Sequence, residues 1–300
     1  MQWSVNQLIF GDGIAAEIFW RVRIPRVLLG LFTGAALGCA GVVFQALFRN
    51  PLASPYTFGV ASGASFGAAS AIVLGLTGSV FGVYGVTFGG ILGALFVTSL
   101  IYFVATRGNT SSIHMLLAGV AMSFFFSSLL LFAQYLSNFT QSFQIVRWLM
   151  GGLETIDYHS LSCLIPFVLI GVSLALLSAK ELDAIATGDE LAYSRGVNVE
   201  GTRRLLFFVS SIMIGTVVSF TGPIGFVGIM IPHFCRLLLG ASHRILTPCA
   251  ILASGVFLVV CDTVARIIVA PADLPVGIIT SLLGGPFFIW ILLRRKDGIY

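Results

Sequence analysis

Charge is scarce in this chain. Only 9% of its 300 residues are charged, against 57% hydrophobic, and the mean hydropathy is +1.01. A soluble globular domain carries about 25% charged residues, so this composition excludes one. The net charge of +4 gives no sign of nucleic acid, because the basic residues are spread through loops. Cysteine is also sparse. Cys39, Cys163, Cys235, Cys249 and Cys261 stand singly inside apolar segments with no C-x-x-C spacing, which speaks against a disulfide framework or a metal site. Histidine does no better: His114, His159 and His243 fall at the ends of apolar runs and suggest no metal set, and His233 sits beside Pro232 within one. Acidic residues inside the apolar runs are limited to Asp262, near an outer end. An ion-coupled secondary transporter, the distant alternative, would more often carry such residues for its coupling ion.

Long apolar runs dominate instead. A membrane helix needs about 20 apolar residues, and on that measure nine spans are expected, at 26–47, 58–76, 80–104, 113–136, 160–179, 205–221, 224–239, 246–270 and 275–293. The fold class is therefore an all-α, polytopic transmembrane bundle forming one domain over 1–300. Residues 1–23 are too polar and interrupted to span, lack the pattern of a signal peptide, and are expected to be an external N-terminal tail. Alternate loops sort the basic residues. Arg49, Arg107, Lys180, Arg195, Arg203, Arg204, Arg236, Arg244, Arg294, Arg295 and Lys296 fall on one side, and Arg21, Arg23, Arg26, Arg147 and Arg266 on the other. The richer side is expected to be cytoplasmic, with the C-terminus on it.

Three runs carry doubled G-x-x-x-G spacing: Gly30, Gly34 and Gly38; Gly59, Gly63 and Gly67; Gly85, Gly89 and Gly93. Such ladders let helix backbones approach closely in lipid. Ser65, within Gly63–Gly67, matches the G-x-S-x-G of hydrolases, but that motif needs a strand-to-helix turn with partner His and Asp residues. Here it lies within a glycine ladder. Two further stretches depart from plain spans. Between Gln134 and Tyr158 an amphipathic turn at Ile145–Met150, ending at Gly151-Gly152, suits an interfacial helix. Over 205–239, Gly222-Pro223, Gly225, Gly228 and Pro232 interrupt two short crossings, as happens where backbone lines a pathway or packs against protein.

One long polar passage remains, Lys180 to Arg204, and it holds nine of the chain's 28 charges. Thr187 and Glu190 have capping-box spacing, Gly196 follows Arg195 where a helix stop is expected, and Asn198 is placed to cap a second short helix. A structured passage of this size between spans suggests a docking element for a partner.

Six motifs then follow in order. They are Arg23-Ile24-Pro25-Arg26; Gln45 to Ala53 with Arg49-Asn50-Pro51-Leu52; Leu116 to Ala121; Gly188-Asp189-Glu190 with Arg195-Gly196-Val197; Gly225-Phe226-Val227-Gly228 with Ile231-Pro232-His233; and Asp273-Leu274-Pro275-Val276-Gly277. In this order and spacing the chain resembles the FecCD-type permeases, the membrane subunits of ABC importers for iron-siderophores, haem and cobalamin. The resemblance implies a permease without catalytic residues of its own, in the bacterial cytoplasmic membrane, working as a homodimer or paired permease. It also implies two cytoplasmic ATPase subunits that hold ATP and Mg, no cofactor on this chain, and a periplasmic or lipid-anchored binding protein. The cargo it implies first is an iron-siderophore, with haem, cobalamin or an oxyanion as alternatives. By position, Thr187, Gly188, Asp189, Glu190, Arg195, Gly196 and Val197 would contact the ATPase. Arg23, Arg26 and Arg266 would dock the binding protein, and Asn50, Leu52, Ser111 and Ser112 would form a cytoplasmic gate. The family usually has ten spans, one of them before the R-I-P-R motif, a position this sequence begins after.

Overall fold

In the computed structural model, which describes residues 13–76, 78–80, 83–107, 112–154, 157–270 and 272–294, the chain is a bundle of helices. Its first helix, α1, runs over Ile14–Leu47 and contains a π-helical turn at Phe19–Arg23. There follow α2 (Val60–Val73), a small antiparallel hairpin of β1 (Ser79–Val80) and β2 (Val83–Tyr84), α3 (Gly85–Arg107) and α4 (Ser112–Leu136). The second half holds α5 (Phe139–Leu149), α6 (Tyr158–Leu177), α7 (Ala179–Thr187), α8 (Asp189–Ser194), α9 (Val199–Thr221), α10 (Val227–Leu239), α11 (His243–Ile268) and α12 (Val276–Arg294). Among the described residues, six helices are long and apolar enough to cross a membrane, and α2, α10 and α12 add three shorter apolar ones. These nine correspond to the nine expected spans.

One boundary is corrected. Residues 14–23, expected to belong to a non-spanning external tail, are helical and continuous with the first span. Two local features make this possible. Glu17 and Arg21 pair at 3.1 Å one turn apart, and the wide π-turn just before Pro25 accommodates a residue that has no N–H for the regular ladder. The Trp20 carbonyl in that turn accepts the Tyr158 hydroxyl at 2.6 Å.

Burial places α1 at the centre. Its most apolar window is 72% buried, against 17% for the same window of α4, so α1 is a core helix and α4 a peripheral one. The aromatic run on α4 divides accordingly. Phe124 and Phe125 are exposed, while Phe126 is buried against Phe66 and Phe96, with ring centroids 5.9 and 6.1 Å away. Near the end of α1, the rings of Phe44, Phe48, Phe58 and Phe207 form one buried cluster with centroids 4.3 to 6.4 Å apart.

The glycine ladders find specific partners. A Cβ at Gly67 would land on the Gly89 carbonyl and one at Gly93 on the Gly63 carbonyl, so the second and third ladders pack against each other. The first ladder meets α11, where a Cβ at Gly34 or Gly38 would strike Ser254. The ends of two ladders do other work: Gly59 caps α2 with φ +76°, beside Ser123, and Gly85 lies against Leu76. Ser65 is buried in the middle of α2 and not on a strand-to-helix turn, so its motif lacks the hydrolase geometry.

Candidate functional sites at the two ends of the bundle

The interrupted stretch between α9 and α10 is held by other parts of the chain. Gly222 has φ +68°, Phe226 has φ +67°, and the Ile224 N–H donates to the Tyr56 hydroxyl at 2.8 Å. The Thr221 carbonyl accepts Gly152 N–H at 2.8 Å, and Gly277 N–H donates to the Gly151 carbonyl at 3.1 Å. Irregular backbone at membrane depth survives only when its polar groups are met in this way. Beside the break lies a largely apolar cavity of about 390 Å³, lined by Tyr56, Ser123, Gly225, Phe226 and Ile229. Gly151 and Gly152, which meet that stretch, follow α5, the expected amphipathic helix, longer than the predicted turn. Asn138 and Gln141 form a capping box at its start, and Gly151, with φ +66°, follows its end.

The polar passage folds into a short helix pair, with differences from expectation. Thr187 is not a cap. It is the last residue of α7, its hydroxyl donates to the Ala184 carbonyl at 2.7 Å, and Gly188 takes the joint with φ +135°. A side chain cannot take that backbone conformation without strain, so glycine wins the position. The stop of α8 is as expected: Gly196, at φ +78°, donates to Tyr193 O at 2.9 Å and Val197 donates to Ala192 O at 3.0 Å, a Schellman closure. Asn198 also caps as expected, accepting Gly201 N–H at 2.9 Å. The helix it caps is not short, however, because it continues without a break as α9 through Thr221.

α8 rests on the bundle through few groups. Ala192 is its one fully buried residue, while Glu190, Leu191, Tyr193 and Arg195 are exposed. Asp189 faces inward, accepting Arg203 Nη2 at 3.0 and 3.1 Å, with Arg49 Nη2 at 3.7 Å. That last contact joins the helix pair to the Asn50–Leu52 turn, where Asn50 Oδ1 accepts the Leu52 N–H at 2.9 Å and Leu52 is exposed. Of the other expected gate residues, Ser111 lies outside the described residues. Ser112 opens α4, and its side chain is likewise outside them.

At the opposite end, the three arginines separate. Arg23 is exposed and, among the described residues, has no ion pair; Arg266 is half-buried and meets Asp262, four residues before it, at 3.3 Å across one turn. Arg26 is committed within the chain. Its guanidinium reaches Asp262 at 2.9 Å and Asp273 at 3.2 Å, and only 13% of its side chain is exposed. This ties α1 to α11 and to the segment before α12, and it neutralises the single acid of the apolar runs. Charge spacing along the sequence offers Arg266 as a partner for Asp262 but not Arg26, because the stronger partner is 236 residues away. The Arg49–Asp189–Arg203 contacts, and the pairing of Asp183 Oδ1 with His243 Nδ1 at 2.7 Å, were missed for the same reason. Among the described residues, no group of His, Cys, Asp and Glu side chains could hold a metal ion.

A bundle of apolar helices with a half-exposed charged helix pair at one end and the Arg26–Asp262–Arg266 contacts at the other defines a polytopic helical membrane protein. The chain belongs to the FecCD transport family, which it matches over residues 2–294. It is 37% identical over 282 residues to the hemin transport system permease protein HmuU of Yersinia pestis, covering 94% of this chain and 84% of that one. It is 40% identical over 283 residues to the cobalamin import system permease protein BtuC of Halobacterium salinarum, covering 94% and 75% respectively. A solved chain described as an inward-facing conformation of a metal-chelate type ABC transporter superposes with a TM-score of 0.88 at 32% identity, covering 98% of this chain and 92% of that one.

Proposed function

We propose that this chain is the membrane-spanning subunit of a binding-protein-dependent ABC importer that carries a bulky metal chelate across the bacterial cytoplasmic membrane. An iron-siderophore is the first cargo to test. Haem and cobalamin follow, since relatives named for hemin and cobalamin transport share over a third of its sequence. The chain does no chemistry itself. ATP and Mg belong to a pair of cytoplasmic ATPase subunits, and a second permease chain and a periplasmic or lipid-anchored binding protein complete the assembly. The richer basic end, with Arg49, α7 and α8, faces the cytoplasm together with the C-terminus.

The observation that carries this proposal is the exposed face of α8. Glu190, Leu191, Tyr193 and Arg195 project from a helix fixed by one buried alanine, an inward aspartate and a glycine closure. Such a mixed apolar and charged face, held firmly at both ends, suits insertion into a groove on another protein. The Asn50–Leu52 turn at the same end is the gate. At the other end Arg23 and Arg266 remain available to acidic patches on a binding protein, while Arg26 holds the bundle together. Co-purification tests the proposal: Glu190→Lys with Arg195→Glu is expected to strip the cognate ATPase from the solubilised complex. Retention at the parental ratio would refute α8 as the contact.

A further inference from the structure

Asp189 makes two unequal contacts. Toward α9 it accepts Arg203 Nη2 through both carboxylate oxygens, at 3.0 and 3.1 Å. The Arg203 side chain is only 7% exposed, and its Nε has no partner among the described residues, so Asp189 supplies its countercharge. Removing a partner from such a pair leaves a buried charge uncompensated, which makes this arm stiff. Toward the turn after α1 the contact is looser. Arg49 Nη2 stands 3.7 Å from Asp189 Oδ1, and the two side chains are 44% and 33% exposed. An ion pair this open is weak and readily broken.

The backbone on both sides is built to bring the two together. Arg49 is one of two described non-glycine residues with positive φ, at +47°. A conformation this uncommon outside glycine persists where surrounding contacts hold it. On the facing side Gly188 has φ +135°, and the Arg49 Nη1 lies 3.7 Å from where a Cβ would stand.

We infer that Asp189 positions the Asn50–Leu52 turn through Arg49, so that displacement of α8 passes rigidly to α9 and conditionally, through a breakable ion pair, to the turn. Asp189 and Arg49 are then positioning residues. The inference rests on the assignments of α8 as the ATPase contact and of the turn as the gate.

The test reads the turn directly and needs no cargo. In the intact permease–ATPase complex in lipid nanodiscs, Leu52→Cys is labelled with a membrane-impermeant maleimide, with and without ATP plus vanadate. Labelling of the chain carrying only its native cysteines is subtracted. The nucleotide is expected to change the Leu52→Cys labelling rate by about threefold, a shift within what an exposed ion pair supports. Adding Arg49→Gln is expected to abolish the change while ATPase co-purification and hydrolysis stay at the parental level, and Arg49→Lys to restore it. Asp189→Asn combined with Arg49→Gln is expected to do no further harm to the response than Asp189→Asn alone. A nucleotide response that survives Arg49→Gln overturns the inference but leaves the ATPase contact standing. Failure of the ATPase to co-purify with the Leu52→Cys chain overturns both.

Discussion

Asp183 Oδ1 accepts two hydrogen bonds from His243, one from the backbone N–H and one from the ring Nδ1, each 2.7 Å long. A carboxylate on α7 thus caps the N-terminus of α11 from outside, where the free N–H groups and the helix dipole favour negative charge. His243 is almost fully buried, so water cannot replace the lost acceptor. Asp183→Ala is expected to cost about 1 to 3 kcal/mol, read as a lower thermal midpoint in detergent. Asp183→Asn, which keeps one acceptor oxygen, should lose less.

The Arg26–Asp262 pair joins α1 to α11 and is well buried on both sides, at 13% and 5% side-chain exposure. Asp262→Ala strands the guanidinium, and a broken buried pair typically costs about 3 to 5 kcal/mol. Asp273 remains at 3.2 Å and softens the loss toward the lower figure. The double variant Asp262→Ala with Arg26→Met should be more stable than Asp262→Ala alone. Additive losses in that double-mutant cycle would show that the two charges are not coupled.

Arg23 and Arg266 predict a different phenotype. Arg23→Glu with Arg266→Gln, a neutralisation that spares the buried Asp262 a like charge one turn away, should leave the fold intact and weaken binding-protein capture, more strongly at low salt than at high salt, since such charges chiefly steer encounter and set register. Surface-binding kinetics at two ionic strengths check this. Unchanged association at both would remove their docking role.

Close backbone contact between α1 and α10 is as demanding as either ion pair. A Cβ at Gly41 would overlap the Gly228 carbonyl, and neither backbone has a flexible atom to move aside. Gly41→Ala should therefore cost about 1 to 3 kcal/mol or more through overpacking. Gly285 has open space around its Cβ direction within α12, so Gly285→Ala should be neutral or stabilising, by up to about 1 kcal/mol. Midpoints of thermal unfolding distinguish the two.

Asp157 caps α6 by accepting the Ser160 N–H at 3.1 Å, and hydrogen bonds from Ser160 hold its carboxyl below the usual carboxylate range. A lowered folded-state value means the stabilisation is present above the unfolded value, about 3.9, and fades as pH falls through the folded one. Asp157→Ala should therefore be less stable than the parent near pH 7, and the gap should close on acidification below about pH 4. Melting curves across that range provide the check.

The apolar segments could be read directly because lipid leaves a one-dimensional mark: runs of about 20 residues without charge. Glycine spacing likewise revealed which faces approach closely, although it did not name the partners. Gly63 and Gly67 find Gly93 and Gly89, whereas Gly59 turns away to cap α2. The start of α1 escaped because Glu17 and Arg21 look like tail residues until one notes that they pair across one turn. Thr187 escaped because its T-x-x-E spacing is the same whether it opens one helix or closes another; the glycine at 188 decided the matter. Long-range charge contacts, Arg26 with Asp262 and Arg49 with Asp189, leave no local signature at all. Only the packing of α1 against α11, and of its last turn beside α8, brings them together.

The most direct measurement is ATP hydrolysis by this chain assembled with its cognate ATPase in lipid, in the presence of binding proteins loaded in turn with ferric siderophore, haem and cobalamin. Stimulation by one loaded protein, abolished by Glu190→Lys with Arg195→Glu, is the expected result and would name the cargo. Hydrolysis indifferent to every loaded binding protein and to the α8 substitutions would contradict the importer and its coupling helix together.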